Sequence, residues 1–551
     1  MKKLMGILLA AAMISSLTAC ASQTNQQNGS QSGEKETSSS EKETKPEAVV
    51  TTNLSKPDMS KWQYNAGEDF YYQLGIDYCE KPADESYEKV AFFVPGKYMD
   101  GTKNSDGTFT CKLNESAEIE GYKAADAPIV MPIRTEGYYA AEALNEEMVA
   151  NIPMIAEDIA QYTSQGFVYV QAGCRGIDEG APTGVTDLKA AVRYVRYCDD
   201  VIAGNAESIF VFGMSGGGAQ AAILGAAGDS ELYDPYLKEI GAVQGVSDAV
   251  EGSMDWCPIT DLDTANAEYE WMMGCTRTGR SKEEQAISDN LAKAFVEYLN
   301  KAGFTDKDGN ALTLTESKEG IYQAGSYYEY IKKVIEESLN HYLSDTQFSG
   351  ADIHNSYGSA ENYINELNKD KKWVTYDKST NTATITSVAD FAKACKTALP
   401  YLVAFDQPTG ENNLFGYGDG KGAHFDKILA GVLTDLNSEY AADYNSDLAK
   451  KDALGYTVEQ RVNMYTPLYY LMESREGYGK STVAKYWRIR TGINQQNTSL
   501  TTEVNLALAL EHCDDVKSVD FETVWAKGHE EAERKGESTE NFIKWVNACM
   551  K

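Results

Sequence analysis

Short apolar runs recur along this chain, and between several of them hydrophobic residues return every three or four positions. The runs at 90–94, 128–133, 167–170, 209–212, 484–489 and 519–525 predict buried strands. Residues 187–197 carry Leu188, Ala191, Val192 and Val195 at helical spacing. Residues 500–510, with Val504, Leu506, Leu508 and Leu510, and residues 541–549 predict two further helices. Strands alternating with helices predict an α/β protein, its mostly parallel sheet covered on both faces. From 261 to 463 the alternation stops. There 281–299 reads as a helix with an acidic start, 321–343 as a tyrosine-rich helix, and 373–387 as a small hairpin. The pattern divides the chain into a core in two parts, 56–260 and 464–551, interrupted by a large, mainly helical lid insertion at 261–463.

The first residues follow another rule. Met1-Lys2-Lys3, an apolar stretch from Leu4 to Leu17 and then Thr18-Ala19-Cys20 describe a signal peptide over 1–20, too short to span a bilayer comfortably. The Leu-Thr-Ala-Cys end resembles a bacterial lipobox. That resemblance implies cleavage before Cys20, lipidation of its thiol, and a protein anchored at the bacterial cell surface on the outer face of the cytoplasmic membrane. Residues 21–55, rich in Ser, Thr, Gln, Lys and Glu, cannot bury a core and predict a disordered tether.

The net charge is −33, and loss of the two lysines of the signal peptide would take it to −35. So acidic a protein is a poor partner for nucleic acid or anionic lipid, which leaves the lipid at Cys20 as the expected membrane contact. Nine cysteines follow Cys20, scattered and without a C-x-x-C pair, which predicts neither a disulfide framework nor a zinc site. Asp306-Lys-Asp308-Gly-Asn310 has the composition of a calcium loop, but its glycine is misplaced and a turn is expected. No metal or cofactor is expected.

Candidate chemistry centres on Gly213-Met214-Ser215-Gly216-Gly217. This G-x-S-x-G pentapeptide follows an apolar strand and precedes a helix pattern, which is the setting of a nucleophile elbow. The turn would raise the Ser215 hydroxyl above the sheet and aim the Gly216 N–H at a developing oxyanion. A second donor is expected from the loop after 128–133, at Gly137 or Tyr138. On this α/β-hydrolase pattern the chain order is serine, acid, histidine. His529 follows the last strand directly, with one helix to come, and is the expected base. The acid has no obvious place, because the loop after 484–489 holds no carboxylate. Three readings stand: Asn497 orients His529 in a slow enzyme; Asp261 or Asp255 supplies the carboxylate; or the site is impaired.

From about residue 128 onward the chain resembles the bacterial tannase-type, feruloyl-esterase-like family of α/β-hydrolase esterases. The resemblance rests on Ala172-Gly-Cys-Arg-Gly176, Thr186–Val195, Ser215–Gly225, Tyr236–Gly241, Cys257-Pro-Ile-Thr-Asp-Leu262, Glu411-Asn-Asn-Leu-Phe-Gly416 and Lys485–Arg490, in that order. It implies Ser215 as nucleophile, His529 as base, a lid between the sixth and seventh core strands, and Glu411 as a substrate-binding lid glutamate. It also implies departures. Gln495 and Asn497 stand where the family has the triad aspartate and an aspartate that contacts aromatic hydroxyls. Pro400 stands near the place of its lid lysine. An ester-hydrolase scaffold acting on a small-molecule ester, phenolic or carbohydrate, carries over; gallate specificity does not. The alternatives are a hydrolase-fold binding lipoprotein without turnover and a peptidase of the same fold.

Overall fold

The computed structural model describes residues 49–348, 357–406 and 410–551. The signal peptide, Cys20 and the tether up to residue 48 lie outside the described residues. The tether ends earlier than the sequence suggested. Thr51 pairs with Gln244, and the Glu80 carboxylate accepts from Thr52 and from the Asn53 amide. Polar side chains of this stretch find fixed partners on the core, which composition does not reveal.

In chain order the main strands are β1 (Gln63–Asn65), β2 (Phe70–Asp77), β3 (Lys89–Pro95), β4 (Ile129–Ile133), β5 (Val168–Ala172), β6 (Ile209–Met214), β7 (Gly252–Trp256), β8 (Tyr486–Gly492) and β9 (Ser518–Val524). In space they run β1-β2-β3-β5-β4-β6-β7-β8-β9. The pairs β1–β2, β2–β3 and β3–β5 are antiparallel, and the rest of the sheet is parallel. The expected strands are all present, with ends shifted by one or a few residues. β1, β2 and β7 are additions. In β2 the hydrophobic pattern is interrupted by a bulge between Gln73 and Ile76.

The helices used below are α1 (Pro153–Thr163), α2 (Thr183–Tyr197), α3 (Gly216–Ala226), α4 (Ala265–Met273), α5 (Lys282–Ala302), α6 (Ser326–Asp345), α7 (Gly410–Leu414), α8 (Leu500–Glu511) and α9 (Ser538–Cys549). Both sheet faces are apolar, as a central parallel strand requires. In β6, Phe210 and Phe212 point to a layer containing Ile159 of α1 and Phe542 and Trp545 of α9. Ile209 and Val211 point to the opposite layer, with residues of α2, α3 and α8. Successive side chains alternate across the sheet, so one strand feeds both layers.

Between β7 and β8 the chain leaves the sheet and builds the helical insertion. Its helix α5 starts in a capping box, with Ser281 and Glu284 exchanging hydrogen bonds. Tyr327 of α6 is buried and donates to Asn505 Oδ1 of α8 at 2.7 Å; the Tyr328 hydroxyl accepts from Val388 N–H. These hydrogen bonds fasten α6 to α8 and to the segment that begins at Val388. No helix among the described residues is long and apolar enough to cross a membrane.

Candidate active site

The parallel register sets the site. Gly213 of β6 lies opposite Ile133 of β4 and Asp255 of β7, and Gly492 of β8 lies opposite Val524 of β9. Five loops therefore leave the same edge of the sheet side by side, outside the carboxyl ends of the strands.

The elbow is built by backbone contact. Ser215 has φ 60° and ψ −121°, a conformation that strains any residue with a side chain. A Cβ on Gly217 would lie 2.3 Å from Ile133 O, and one on Gly213 would lie 2.5 Å from Gly217 C, so β4 and the elbow meet only because both positions are glycine. Ser215 N donates to Trp256 O at 2.9 Å, which ties the turn to β7. Ser215 keeps 8% of its surface, so its hydroxyl is reachable but sheltered.

The loop after β4 comes against the start of α3. A Cβ on Gly216 would fall 3.1 Å from Gly137 N. Gly137 has φ 65°. Tyr138 N–H is committed to Thr135 O at 2.7 Å, and the Tyr138 hydroxyl donates to Ile259 O at 2.6 Å. Gln220 fixes the loop from behind: its oxygen accepts from Thr135 Oγ1 at 2.9 Å and its amide donates to Tyr465 Oη at 3.1 Å. Gly216, the residue after Ser215, and Gly137 are thus brought into close backbone approach.

The loops after β8 and β9 are stitched together. Ile493 N–H donates to Val524 O and Asn494 N–H to Lys527 O, both at 3.0 Å. A Cβ on Gly492 would sit 1.9 Å from Gly528 O, so this close pass requires glycine. The result is that His529 stands between two partners. Its Nε2 is 2.8 Å from Ser215 Oγ and its Nδ1 is 2.7 Å from Gln495 Oε1.

The third member of the row is therefore Gln495. This corrects the expectation for Asn497 and for Asp261. Asn497 lies two residues further along the loop, while both ring nitrogens of His529 are engaged by Ser215 and Gln495. Asp261 is fully buried beyond β7 with neither carboxylate oxygen hydrogen-bonded. Burial, with Glu268 and Asp263 nearby, holds it far above the usual carboxylate range. Asp255 lies inside β7 and accepts from Ser253. Gln495 N–H turns back to Gly492 O at 3.1 Å, and its side chain reaches His529. That turn is a tertiary fact; the only sequence signal for Gln495 is its match to the family's acid position.

The geometry fixes the protons. Gln495 Nε2 is within 2.5 Å of Glu503 Oε1, 2.7 Å of Thr491 Oγ1 and 2.8 Å of Thr498 Oγ1. The amide nitrogen faces these oxygens, and the amide oxygen faces His529; reversed, the amide oxygen would confront a carboxyl group. Because Gln495 Oε1 only accepts, His529 must carry its proton on Nδ1. Nε2 then offers a lone pair to the Ser215 hydroxyl. Burial lowers the His529 imidazole below its ordinary 6.5, which keeps it neutral at pH 7.

Other polar groups near the sheet and the insertion divide. Glu411 lies in the first turn of α7, which packs against the 136–138 turn, and its charge helps to raise the buried Tyr138 phenol after burial itself. Arg175 is structural: it holds buried Asp187 with two hydrogen bonds and lies 3.5 Å from Glu88. His512 ends α8 and meets Thr305, away from the site. Asp306 uses its carboxylate to accept from Asp308 and Asn310 amides within a turn. Among the described residues no three His, Cys, Asp or Glu side chains group as metal ligands.

Comparison with known proteins agrees with this architecture. The BD-FAE family model, a feruloyl-esterase-like domain, matches residues 121–318. A tannin acyl hydrolase from Lactobacillus plantarum is 26% identical, with 88% of this chain and 94% of that one covered and a TM-score of 0.67. A Fusobacterium nucleatum tannase is 28% identical over 88% of this chain and 95% of its own, TM-score 0.66. The chain is thus similar to tannase-type α/β-hydrolase esterases along most of its length. No curated protein sequence matches it. A further tannin acyl hydrolase structure, 27% identical with 89% and 97% coverage and a TM-score of 0.67, is a complex with 3,4-dihydroxybenzoate. Together with the BD-FAE match, these similarities make this chain a carboxylic ester hydrolase.

Proposed function

We propose that the protein is a surface-anchored serine esterase acting on phenolic or carbohydrate esters through Ser215, His529 and Gln495. The observation that carries the reading is the unbroken row Ser215 Oγ, His529 imidazole, Gln495 amide, with spacings of 2.8 and 2.7 Å. His529 Nε2 takes the Ser215 proton as Oγ attacks the ester carbonyl carbon. The carbonyl oxygen becomes an oxyanion that the Gly216 and Gly137 N–H groups can hold. As the tetrahedral intermediate collapses, the imidazolium returns its proton to the leaving alkoxide and the alcohol departs. Water then enters; His529 takes its proton, hydroxide attacks the acyl carbon, and Ser215 leaves reprotonated. Glu411 beside the oxyanion loop is suited to accept a substrate hydroxyl. The complex with 3,4-dihydroxybenzoate among the relatives supports a phenolic acyl group. The Leu-Thr-Ala-Cys start supports lipidation at Cys20.

The test is active-site labelling of the protein by a fluorophosphonate near pH 7.5, with hydrolysis of a panel of phenolic and sugar esters. Wild type should label and turn over. Ser215→Ala should do neither, and His529→Ala should lose about 10³-fold or more of kcat. Wild-type protein that neither labels nor hydrolyses any ester, yet binds one, would make it a binding protein on a hydrolase scaffold.

A further inference from the structure

An amide can orient a histidine, but it carries no charge to stabilise the imidazolium. The charge missing from position 495 is found one group further out. Glu503, on the first turn of α8, is fully buried, and its Oε1 receives Gln495 Nε2 at 2.5 Å, Thr498 Oγ1 at 2.7 Å and Thr491 Oγ1 at 3.3 Å. An amide nitrogen can only donate, so the oxygen it touches is an acceptor. Three donors converging on one oxygen, at a helix N-terminus, are the environment of an ionised carboxylate.

Glu503 has no role in the mechanism above, and nothing in a β-strand or helix requires an acid there. We propose that Glu503 is the displaced acid of this site, a positioning residue that acts on His529 through the Gln495 amide. Its carboxylate holds Gln495 Nε2, which turns Gln495 Oε1 onto His529 Nδ1–H. The same negative charge polarises the amide, so that its oxygen is a stronger acceptor as the imidazolium forms. The row becomes Ser215, His529, Gln495, Glu503, and Glu503 never touches substrate. No net proton leaves the histidine toward it: Nδ1 keeps its proton throughout, and only Nε2 gains and loses one.

The surroundings are arranged for this. Burial raises the Glu503 carboxyl above its ordinary range; the hydrogen bonds from Thr498 and Thr491 work against that, as does the charge of Lys396, which is fully buried in the insertion and reaches Ile493 O at 3.1 Å. Burial lowers Lys396 to about 8, and Glu503 is the first group that pulls it back up. The remaining titratable groups facing Glu503 are Cys257, beyond β7, and Asp261. Glu268 of α4 approaches the same helix at Thr501, Thr502 and Asn505.

The proposal rests on the esterase reading, and the test separates the two. Hydrolysis of p-nitrophenyl acetate is followed from pH 4.5 to 9 for wild type, Ser215→Ala, Glu503→Gln, and Glu503→Gln combined with Gln495→Asp. Glu503→Gln keeps the volume and an oxygen for Gln495 but removes the charge. It should lower kcat about 10- to 100-fold with KM little changed, and move the acid limb of kcat to lower pH by about half a unit or more. A carboxylate at 495, touching His529 directly, should restore most of the lost rate in the double variant. Should Glu503→Gln fail to fold, Glu503→Asp withdraws the carboxylate by one methylene and should show the same changes at smaller size. A Glu503 variant with wild-type kcat and acid limb overturns the proposal, as does a lowered kcat with an unmoved limb and no rescue at 495. Either result with active wild type leaves the esterase intact; inactive wild type overturns both.

Discussion

At the scale of single residues, the proposed mechanism puts the chemistry on one imidazole, whose protonation is set by two contacts and by burial. Gln495 Oε1 places the proton on Nδ1, and the sheltered position of the ring lowers its affinity for a second proton. The active form is the neutral one. Activity must therefore rise with pH across the His529 ionisation, with its midpoint below the ordinary histidine value of 6.5. A kcat/KM profile for a neutral ester checks this: half-maximal rate should fall below pH 6.5. A half-maximal point above 7 would mean that a charge other than Glu503 dominates the ring. The residue scale also explains why the third member escaped sequence reasoning. Asn497 and Gln495 are alike in chemistry and only two positions apart; which one meets the ring is decided by a backbone turn from Gly492 to Gln495.

At the scale of elements, the site depends on two loops that pass at backbone distance. β8 and β9 deliver Gln495 and His529 from adjacent parallel strands, and Gly492 is the point where the loops touch. Gly492→Ala would place a methyl carbon 1.9 Å from Gly528 O. The loops must part by an ångström or more, and a displacement of that size at a reacting group costs about 10²-fold. The expected result is cooperative unfolding much like wild type, with kcat reduced about 100-fold. An enzyme with unchanged kcat would show that the loops do not fix the His529–Ser215 spacing. Strand and helix existence was largely legible here, because β6, β8, α2, α5 and α8 each carry a strong apolar period. The loops were not: their conformation follows from hydrogen bonds such as Ile493 to Val524 and Asn494 to Lys527, which join residues distant in sequence.

At the scale of the whole molecule, acidity and burial meet. The chain carries a net charge of −33, and several carboxyl groups lie buried where the insertion joins the sheet. Burial raises Glu268 to about 7 and Asp426 to about 6. A carboxyl whose folded value exceeds its unfolded one binds more protons when folded, so stability falls as pH rises through the interval between the two. For Glu268 that interval runs from its ordinary 4.5 to about 7, and for Asp426 from 3.8 to about 6. His529 opposes this only below 6.5, where the unfolded imidazole takes up the proton first. Falling self-repulsion adds to the carboxyl effect. The melting temperature should thus be higher at pH 6 than at pH 8 by about 1–2 °C, measured by calorimetry at fixed ionic strength. A melting temperature that rises from pH 6 to 8 would contradict the buried, proton-binding carboxyls.

The sequence by itself determined the α/β class, the two-part core with its helical insertion, the elbow at Ser215 and the place of His529 directly after the last strand. Each of these rests on local information: apolar periods, a pentapeptide that only small residues can close, and the order of groups along the chain. Tertiary structure alone decided that Gln495 completes the row, that Glu503 stands behind it, and that residues from Thr51 onward already belong to the core. Those are contacts between side chains and backbone brought together by the register of parallel strands. Hydrophobic periodicity specifies which face of a strand is buried, but not which polar group in a following loop will find which partner.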